Sequence, residues 1–412
     1  MTVHAPRRPR PEGPPAGGDT RGALPTVDGA REAMGTRGDA PAEGPYPGSG
    51  EDRVPRHGED VAVGRVTLQT VADHVGVSRM TVSNAFSRPD QLSSELREKI
   101  LAAADELGYV GPDPAGRALA RGATGAIGVL LTKSVRHAFT DPIAAEFFGA
   151  VAESLAPTGM AVALLPSGLS TERIPARDIP IDGALIYACA GDSEALSWLR
   201  KRRLPLVYVD QAPEGEASSV LLDDRGGARA AARHLVELGH RKVGLIAIDW
   251  YGPHGLIADP TVRGTNYVAN ERVAGWLEGL GGVEVVAVQA QSNAERDAYE
   301  GAQLLLDTED PPTAVLCFSD LMAWGVVHAA HDLGLRVPED LSVVGFDDSA
   351  LARSVRPALT TVHQDLVAKG HLAAQLLVSE IARVRAGEPV EARHELLPLQ
   401  LVVRRSTGPA PA

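Results

Sequence analysis

From Ala126 onward the sequence repeats one texture, a short apolar run followed by a stretch of helical periodicity, and few folds accept it. The runs are Ala126–Leu131, Met160–Leu165, Gly183–Ala188, Pro205–Asp210, Lys242–Ile248, Val283–Ala290, Ala314–Phe318 and Leu341–Phe346. Amphipathic stretches such as Ala228–Leu238 and Asn293–Leu306 lie between them. Runs this short and this apolar suit strands buried on both faces. Strand–helix alternation predicts an α/β body of parallel sheets with helices on both faces. Ligands of such sheets bind beyond the carboxyl ends of the strands. Asp210, Asp249, Ser319-Asp320 and Asp347-Asp348 stand at those ends. One acid there serves equally well as a helix cap or turn former; several together point to a shared cleft.

A different pattern precedes the body. Leu68, Val71, Ala72 and Val75 fall on one helix face, with Thr67 as N-cap and Gly76 as the stop. A second helix begins after Ser78 and buries Val82, Ala85 and Phe86. A third begins after Ser93, carries Leu96, Ile100, Ala104 and Leu107, and stops at Gly108. Two helices joined by Gly76-Val77-Ser78, with a third across them, is a helix-turn-helix layout.

The first 60 residues contain 10 Pro and 11 Gly, a composition that cannot bury enough apolar surface to offset its ordering entropy. Residues 1–63 therefore read as a disordered tail, in which Arg7, Arg8 and Arg10 read as solvated charges, with DNA contact as the alternative. No apolar run reaches the roughly 18–20 residues that span a bilayer, and the N-terminus lacks the apolar core of a secretory signal. Both readings place the chain in the cytoplasm, away from membranes. Cys189 and Cys317 sit in apolar runs and read as buried thiols; neither has metal-ligand spacing around it. The net charge of −13 excludes nucleic-acid binding over the whole surface, so any DNA contact is local.

The stretch Val66-Thr67-Leu68-Gln69-Thr70-Val71-Ala72-Asp73-His74-Val75-Gly76-Val77-Ser78-Arg79-Met80-Thr81-Val82-Ser83-Asn84 closely resembles the DNA-binding head of the lactose/galactose repressor (LacI/GalR) family. The body agrees in order: His234-Leu235-Val236-Glu237-Leu238-Gly239-His240, Arg272-Val273-Ala274-Gly275-Trp276, Leu341-Ser342-Val343-Val344-Gly345-Phe346-Asp347-Asp348 and Leu359-Thr360-Thr361-Val362 are similar to that family's motifs. The resemblance implies a helix-turn-helix head over 64–110, a hinge helix over 111–123, and a two-lobed, periplasmic-binding-protein-like body over 124–405 that binds an effector and dimerises. By position the first lobe is about 124–222 plus 366–391, and the second about 223–361 plus 392–405. Residues 406–412 read as a disordered tail. No leucine heptad follows the body, so the expected assembly is a homodimer rather than a tetramer.

The resemblance also assigns roles. Arg79, Met80 and Asn84 occupy base-reading positions; Arg suits guanine and Asn adenine in the major groove. Thr67, Ser78, Thr81 and Ser83 are suited to phosphates. From Gly64 to Gly122 seven Arg/Lys face seven acids, so one head binds weakly and a dimer on a pseudo-palindromic double-stranded operator is expected. Leu119 matches the hinge leucine that wedges into the minor groove. The hinge departs from the family pattern at Gly111, Asp113 and Gly116, and Gly116 weakens a helix by about 1 kcal/mol relative to Ala.

In the cleft, Arg272 is the leading effector ligand, with Asp347 accepting from hydroxyls, Asp210, Ser319 and Asp320 on the rim, and Phe139 and Phe318 as stacking surfaces. The effector is expected to be a sugar or related metabolite. Two departures border the cleft and point away from an ordinary sugar: Ile248–Arg272 is long, and Pro166–Asp182 is short and lacks a helix's worth of sequence. No cofactor or metal is expected. The reading is a regulator, most simply a repressor, with activation or co-repressor dependence as the alternative within the family. A solute-binding protein shares the body but needs an export signal and no head. An enzyme lacks support, since G-x-G-x-x-G after a strand, the P-loop and G-x-S-x-G are all missing, and His240, Ser319 and Asp320 make a triad only by residue type.

Overall fold

The computed structural model describes residues 66–131, 135–167, 173–188, 193–212, 215–250 and 252–411. The expected N-terminal tail over 1–63, with its arginines, and Cys189 lie outside them. The head is built from α1 (Leu68–Val75), α2 (Arg79–Ser87) and α3 (Ser94–Glu106). Thr67 and Thr70 form a capping box on α1, and Gly76 ends the helix at φ +78°, a conformation that suits glycine. The hydroxyls of Ser78 and Ser93 cap α2 and α3. Val71, Ala72, Val82, Ala85, Ile100 and Ala104 form a small core, with Phe86 half-buried against Tyr109. The hinge stretch is helical as α4 (Pro114–Arg121), opening on a proline whose missing N–H costs nothing at a helix start.

In chain order the first lobe supplies β1 (Ala126–Leu131), α5 (His137–Thr140), α6 (Pro142–Leu155), β2 (Ala161–Pro166), α7 (Pro175–Asp178), β3 (Ala184–Tyr187), α8 (Glu194–Lys201), β4 (Leu206–Val209) and β5 (Ser218–Leu222). The second lobe supplies α9 (Asp224–Glu237), β6 (Lys242–Ala247), β7 (Gly255–Ile257), α10 (Tyr267–Leu280), β8 (Glu284–Gln289), α11 (Glu295–Leu306), β9 (Ala314–Cys317), α12 (Asp320–Asp332), β10 (Ser342–Val344), α13 (Ala350–Ser354) and β11 (Thr361–His363). Then α14 (Leu366–Ala386) and β12 (His394–Leu397) return to the first lobe, and β13 (Gln400–Val402) ends beside β11.

The first sheet is parallel throughout, in the order β12-β5-β4-β3-β1-β2. Its side chains alternate between two cores. Ile127, Val129, Leu185, Val207 and Val209 face α6 and α14, while Leu130, Ala184, Ile186 and Tyr208 face α7 and α8. The second sheet runs β10-β9-β6-β8-β7 and is parallel except for β7, which pairs antiparallel with β8 at one edge. That edge strand is where the long Ile248–Arg272 segment goes. Among its described residues the short Pro166–Asp182 link holds the single turn α7. Gly275 and Gly279, a turn apart on α10, let it lie on α9, because a Cβ at either would run into the backbone at Arg225 or Arg229.

Two sequence expectations need correction. Residues 392–405 do not belong to the second lobe as a block: β12 pairs with β5 in the first sheet, from His394↔Ser219 to Leu397↔Leu222. The chain crosses back only between Leu397 and Gln400, because His394–Leu397 find an open parallel edge there. Nor is 406–411 a loose tail. Ser406 is fully buried; its hydroxyl donates to the Val343 carbonyl at 2.6 Å and accepts from the Thr360 N–H at 2.8 Å. Gly408 N–H donates to Ser342, and Ala410 N–H donates to the Leu238 carbonyl. A polar Pro/Gly-rich end looks disordered in sequence, yet here it covers the outer edge of β10. Ser406→Ala strands the buried Thr360 N–H, which costs about 1–3 kcal/mol. Urea unfolding should show a lowered midpoint with an unchanged slope; an unshifted midpoint would mean that the segment contributes nothing to stability.

Candidate functional site

The carboxyl ends of both sheets face one cavity of about 530 Å³, within the usual range for a small-molecule site. The first lobe contributes Leu131, Tyr187, Asp210 and Leu222 from strand ends, Asp141 from the N-cap of α6, Phe148 from its middle, and Lys369 from α14. The second contributes Asp249, Phe318 and Asp347 from strand ends, Arg272 and Tyr267 from α10, and Asn293. Asp210, Asp249 and Asp347 have left-handed backbones (φ +55°, +54° and +116°), a conformation aspartate tolerates better than most residues.

Arg272 is buried and fully engaged. Its Nε donates to Asp224 Oδ1 at 2.8 Å and its Nη1 to the Phe318 carbonyl. Asp347 Oδ1 lies 3.6 Å from Nη1. The guanidinium stacks 3.6 Å over the Phe346 ring centroid and 4.5 Å from that of Phe318. Burial pushes the carboxyls of Asp224 and Asp347 upward, against the pull of Arg272, and the shift at Asp347 is the larger. Gln364 Nε2 donates to Asp347 Oδ1.

The first lobe has its own buried cation. Lys369, 1% exposed, donates to Asp210 Oδ2 at 2.7 Å. Its ammonium also lies 5.4 Å from the Phe147 ring centroid and 6.0 Å from that of Tyr187. Asp210 Oδ1 is buried with no hydrogen-bond partner among the described residues. Sequence reasoning missed Lys369, although a signal existed: it stands on the apolar stripe of Leu366, Gly370, Ala373 and Leu377, where a lysine has no reason to be without a partner. Asp141, Phe148, Tyr187, Tyr267 and Asn293 were missed for want of any local signature.

Three expected residues sit elsewhere. Phe139 is 71% exposed and does not line the cavity; Phe148, two helical turns further, takes the place beside Tyr187 at 5.1 Å between ring centroids. Ser319 is buried as the N-cap of α12 and donates to Asn293 Oδ1 at 2.5 Å, so it positions a cavity residue. Asp320 lies behind the cleft. It accepts from the Ser349 N–H and hydroxyl at 2.7 and 2.9 Å and from Thr361, tying down the strained Asp347–Asp348 turn. Burial, with the Asp348 carboxylate nearby, raises its carboxyl to about 6 against these bonds. His240 bonds Thr313, Ser342 and the Gly408 carbonyl, not Ser319 or Asp320, so no triad assembles. Cys317 is buried, and burial holds its thiol protonated.

On the head, α2 turns Val82 and Ala85 inward and leaves Arg79 and Met80 exposed, Met80 to 68%. Asn84 shares that outer face, its amide donating to Gln91 at 3.2 Å. Ser78 and Thr81 exchange a hydroxyl bond of 2.8 Å at the helix start. Thr67 caps α1, and Ser83 sits half-buried with its carbonyl bonded by Ser87. Leu119 lies on α4, its side chain outside the described part. No described helix is long and apolar enough to cross a membrane.

Residues 67–111 match the family described as bacterial regulatory proteins, lacI family, and 232–407 match the periplasmic binding protein-like domain. The HTH-type transcriptional regulator IpsA of Corynebacterium glutamicum is 35% identical over 340 residues, 79% of this chain and 94% of its own length. The chain belongs to the LacI family of transcriptional regulators. Among solved structures, the transcriptional regulator CelR–cellobiose complex is 30% identical with a TM-score of 0.60, covering 83% of this chain and 100% of its own. The lac repressor dimer bound to operator and the anti-inducer ONPF is 26% identical with a TM-score of 0.68, covering 83% and 99%. The domain match ends at residue 407, inside the packed C-terminal segment of this LacI-family regulator.

Two outcomes are expected for the site. Lys369→Met leaves Asp210 as a buried, unpaired carboxylate and should cost about 3–5 kcal/mol in urea unfolding. Adding Asp210→Asn should recover most of that loss; equal losses in single and double variants would rule out the pair as the cause. Asp320 should titrate near pH 6 in carboxyl-carbon NMR. Because folding raises this pKa from 3.8, its contribution to stability is greatest at low pH and declines as pH rises to about 6. A midpoint near the ordinary value of about 4 would contradict the burial argument.

Proposed function

We propose that this LacI-family regulator is a cytoplasmic repressor that binds a pseudo-palindromic DNA operator as a homodimer and is controlled by a small molecule in the cleft. The observation that carries the reading is the cavity itself: polar and aromatic side chains from both lobes meet at strand ends, in lobes joined only by three chain crossings. Ligand contacts made to both lobes at once fix the angle between them. The relatives named above point the same way, one a repressor on its operator and one a complex with cellobiose.

Arg79, Met80 and Asn84 read bases, and Thr67, Ser78, Thr81 and Ser83 meet phosphates. In the bound dimer two α4 helices meet over the minor groove and Leu119 wedges into it. Arg272, Asp347, Asp210 and Phe318 shape the effector site, with Ser319 and Asp320 holding its second lobe in place. No chemical step is assigned to any of them.

Selection of binding sites from random DNA tests the head. Arg79→Ala should lose base preference at one position per half-site, at a cost of about 1–3 kcal/mol; an unchanged sequence preference removes Arg79 from the reading set. Fluorescence anisotropy on the selected operator, with and without a panel of sugars and sugar-like metabolites, tests the body. One compound should change operator affinity by a coupling of about 1–3 kcal/mol. Tyr267→Ala should bind operator as wild type does but need more of that compound. Arg272→Ala is a poor probe, because it leaves Asp224 buried and unpaired. If no compound alters operator affinity, the effector reading fails.

A further inference from the structure

The charge balance of the cavity narrows its ligand, on the reading that the cleft is the effector site. Among the described residues five aspartates line it, Asp141, Asp210, Asp224, Asp249 and Asp347, against two cations. Neither cation is available to a newcomer. Arg272 is held by Asp224 and the Phe318 carbonyl, and Lys369 by Asp210. Among the described lining residues a phosphate or carboxylate entering here meets more acids than cations and no uncommitted cation. A second observation is independent of that count. Asp210 Oδ1 is buried and accepts no hydrogen bond from the described residues, while its side chain is nine-tenths buried at the cavity wall. A buried carboxylate oxygen without a donor is costly, and a ligand that brings one removes the penalty.

An ammonium answers both features, because it carries positive charge and three donors where a hydroxyl brings one. The aromatic faces of Phe148, Tyr187 and Tyr267 complete the lining without adding charge, and such faces attract cations. Asp249 stands exposed at the rim, accepting from Asn266 at 3.1 Å, where an incoming cation first meets the site. We infer that the cleft takes a polyhydroxylated ligand bearing a protonated amine, the class of an amino sugar, in preference to the neutral or acidic counterpart.

The test uses the full-length protein and matched probes that differ in one substituent: glucose, glucosamine and glucuronate, and the β-1,4-linked disaccharide of each. Affinity is read by calorimetry and operator response by anisotropy. The amine-bearing member should bind at least about tenfold more tightly than its neutral counterpart, a difference of ~1.4 kcal/mol. The acidic member should bind weakest. Asp249→Asn, at an exposed position, should shrink the amine preference severalfold with the fold intact; Asp210→Asn should do so more strongly where it folds. Equal or tighter binding of the acidic or neutral members overturns the inference, as does binding by none of the six. An amine preference untouched by Asp249→Asn and Asp210→Asn also overturns it. If neutral or acidic members bind and shift operator affinity, the effector reading stands without the amine. If the tightest binder leaves operator affinity unchanged, the effector reading fails on its own.

Discussion

The guanidinium of Arg272 joins the second lobe at the point where its strands end. One planar group meets the start of α9 through Asp224, the end of β9 through the Phe318 carbonyl, and the Phe346 ring beyond β10. Each of those elements comes from a different part of the chain, so none could be placed by local sequence preference. Burying a guanidinium costs several kcal/mol unless its donors are met, and here two donors and a ring face meet it. The arrangement therefore does more to fix geometry than to add stability. It also fixes Asp347 at the cavity wall, with Asp320 holding the turn behind it.

Lys369 and Asp210 do the corresponding work in the first lobe. Each lobe thus satisfies its own buried cation, without borrowing from the other. Two internally braced bodies joined by three crossings can change their mutual angle with little repacking. Under the proposed function a ligand that touches both acts on that angle, which is the kind of two-state element that coupling between distant sites requires. The C-terminal segment reinforces the second body from outside, since Ser406 and Gly408 close the edge of β10.

The head works by other means. Its core is small, and its helices depend on caps at Thr67, Ser78 and Ser93 and on the glycine stop at Gly76. Caps are local, so the same residues that start α2 also expose Arg79 and Met80 on its outer face. Gly116, without a side chain, weakens α4 as a helix.

The strands at Ala126–Leu131, Lys242–Ala247 and Ala314–Cys317 were legible because parallel strands buried on both faces must be short apolar runs. Strand β5 was not, since Ser218 and Ser219 break the run, and their hydroxyls are met by Glu380 and His394, more than 150 residues away. The head's motif and caps, the family, and the aspartates at strand ends were also readable, because each rests on neighbours in sequence. By itself the sequence determined a helix-turn-helix head, an α/β body and the level in the body at which the cavity opens. Tertiary structure alone decided which groups face that cavity: it set Phe148 in the cleft and Phe139 outside, moved Asp320 behind the wall, brought Lys369 to Asp210, and carried β12 to the first sheet. The physical reason is that strand ends converge only after the chain has crossed between the lobes, and the partners that satisfy a buried charge are chosen by that convergence, not by spacing along the chain.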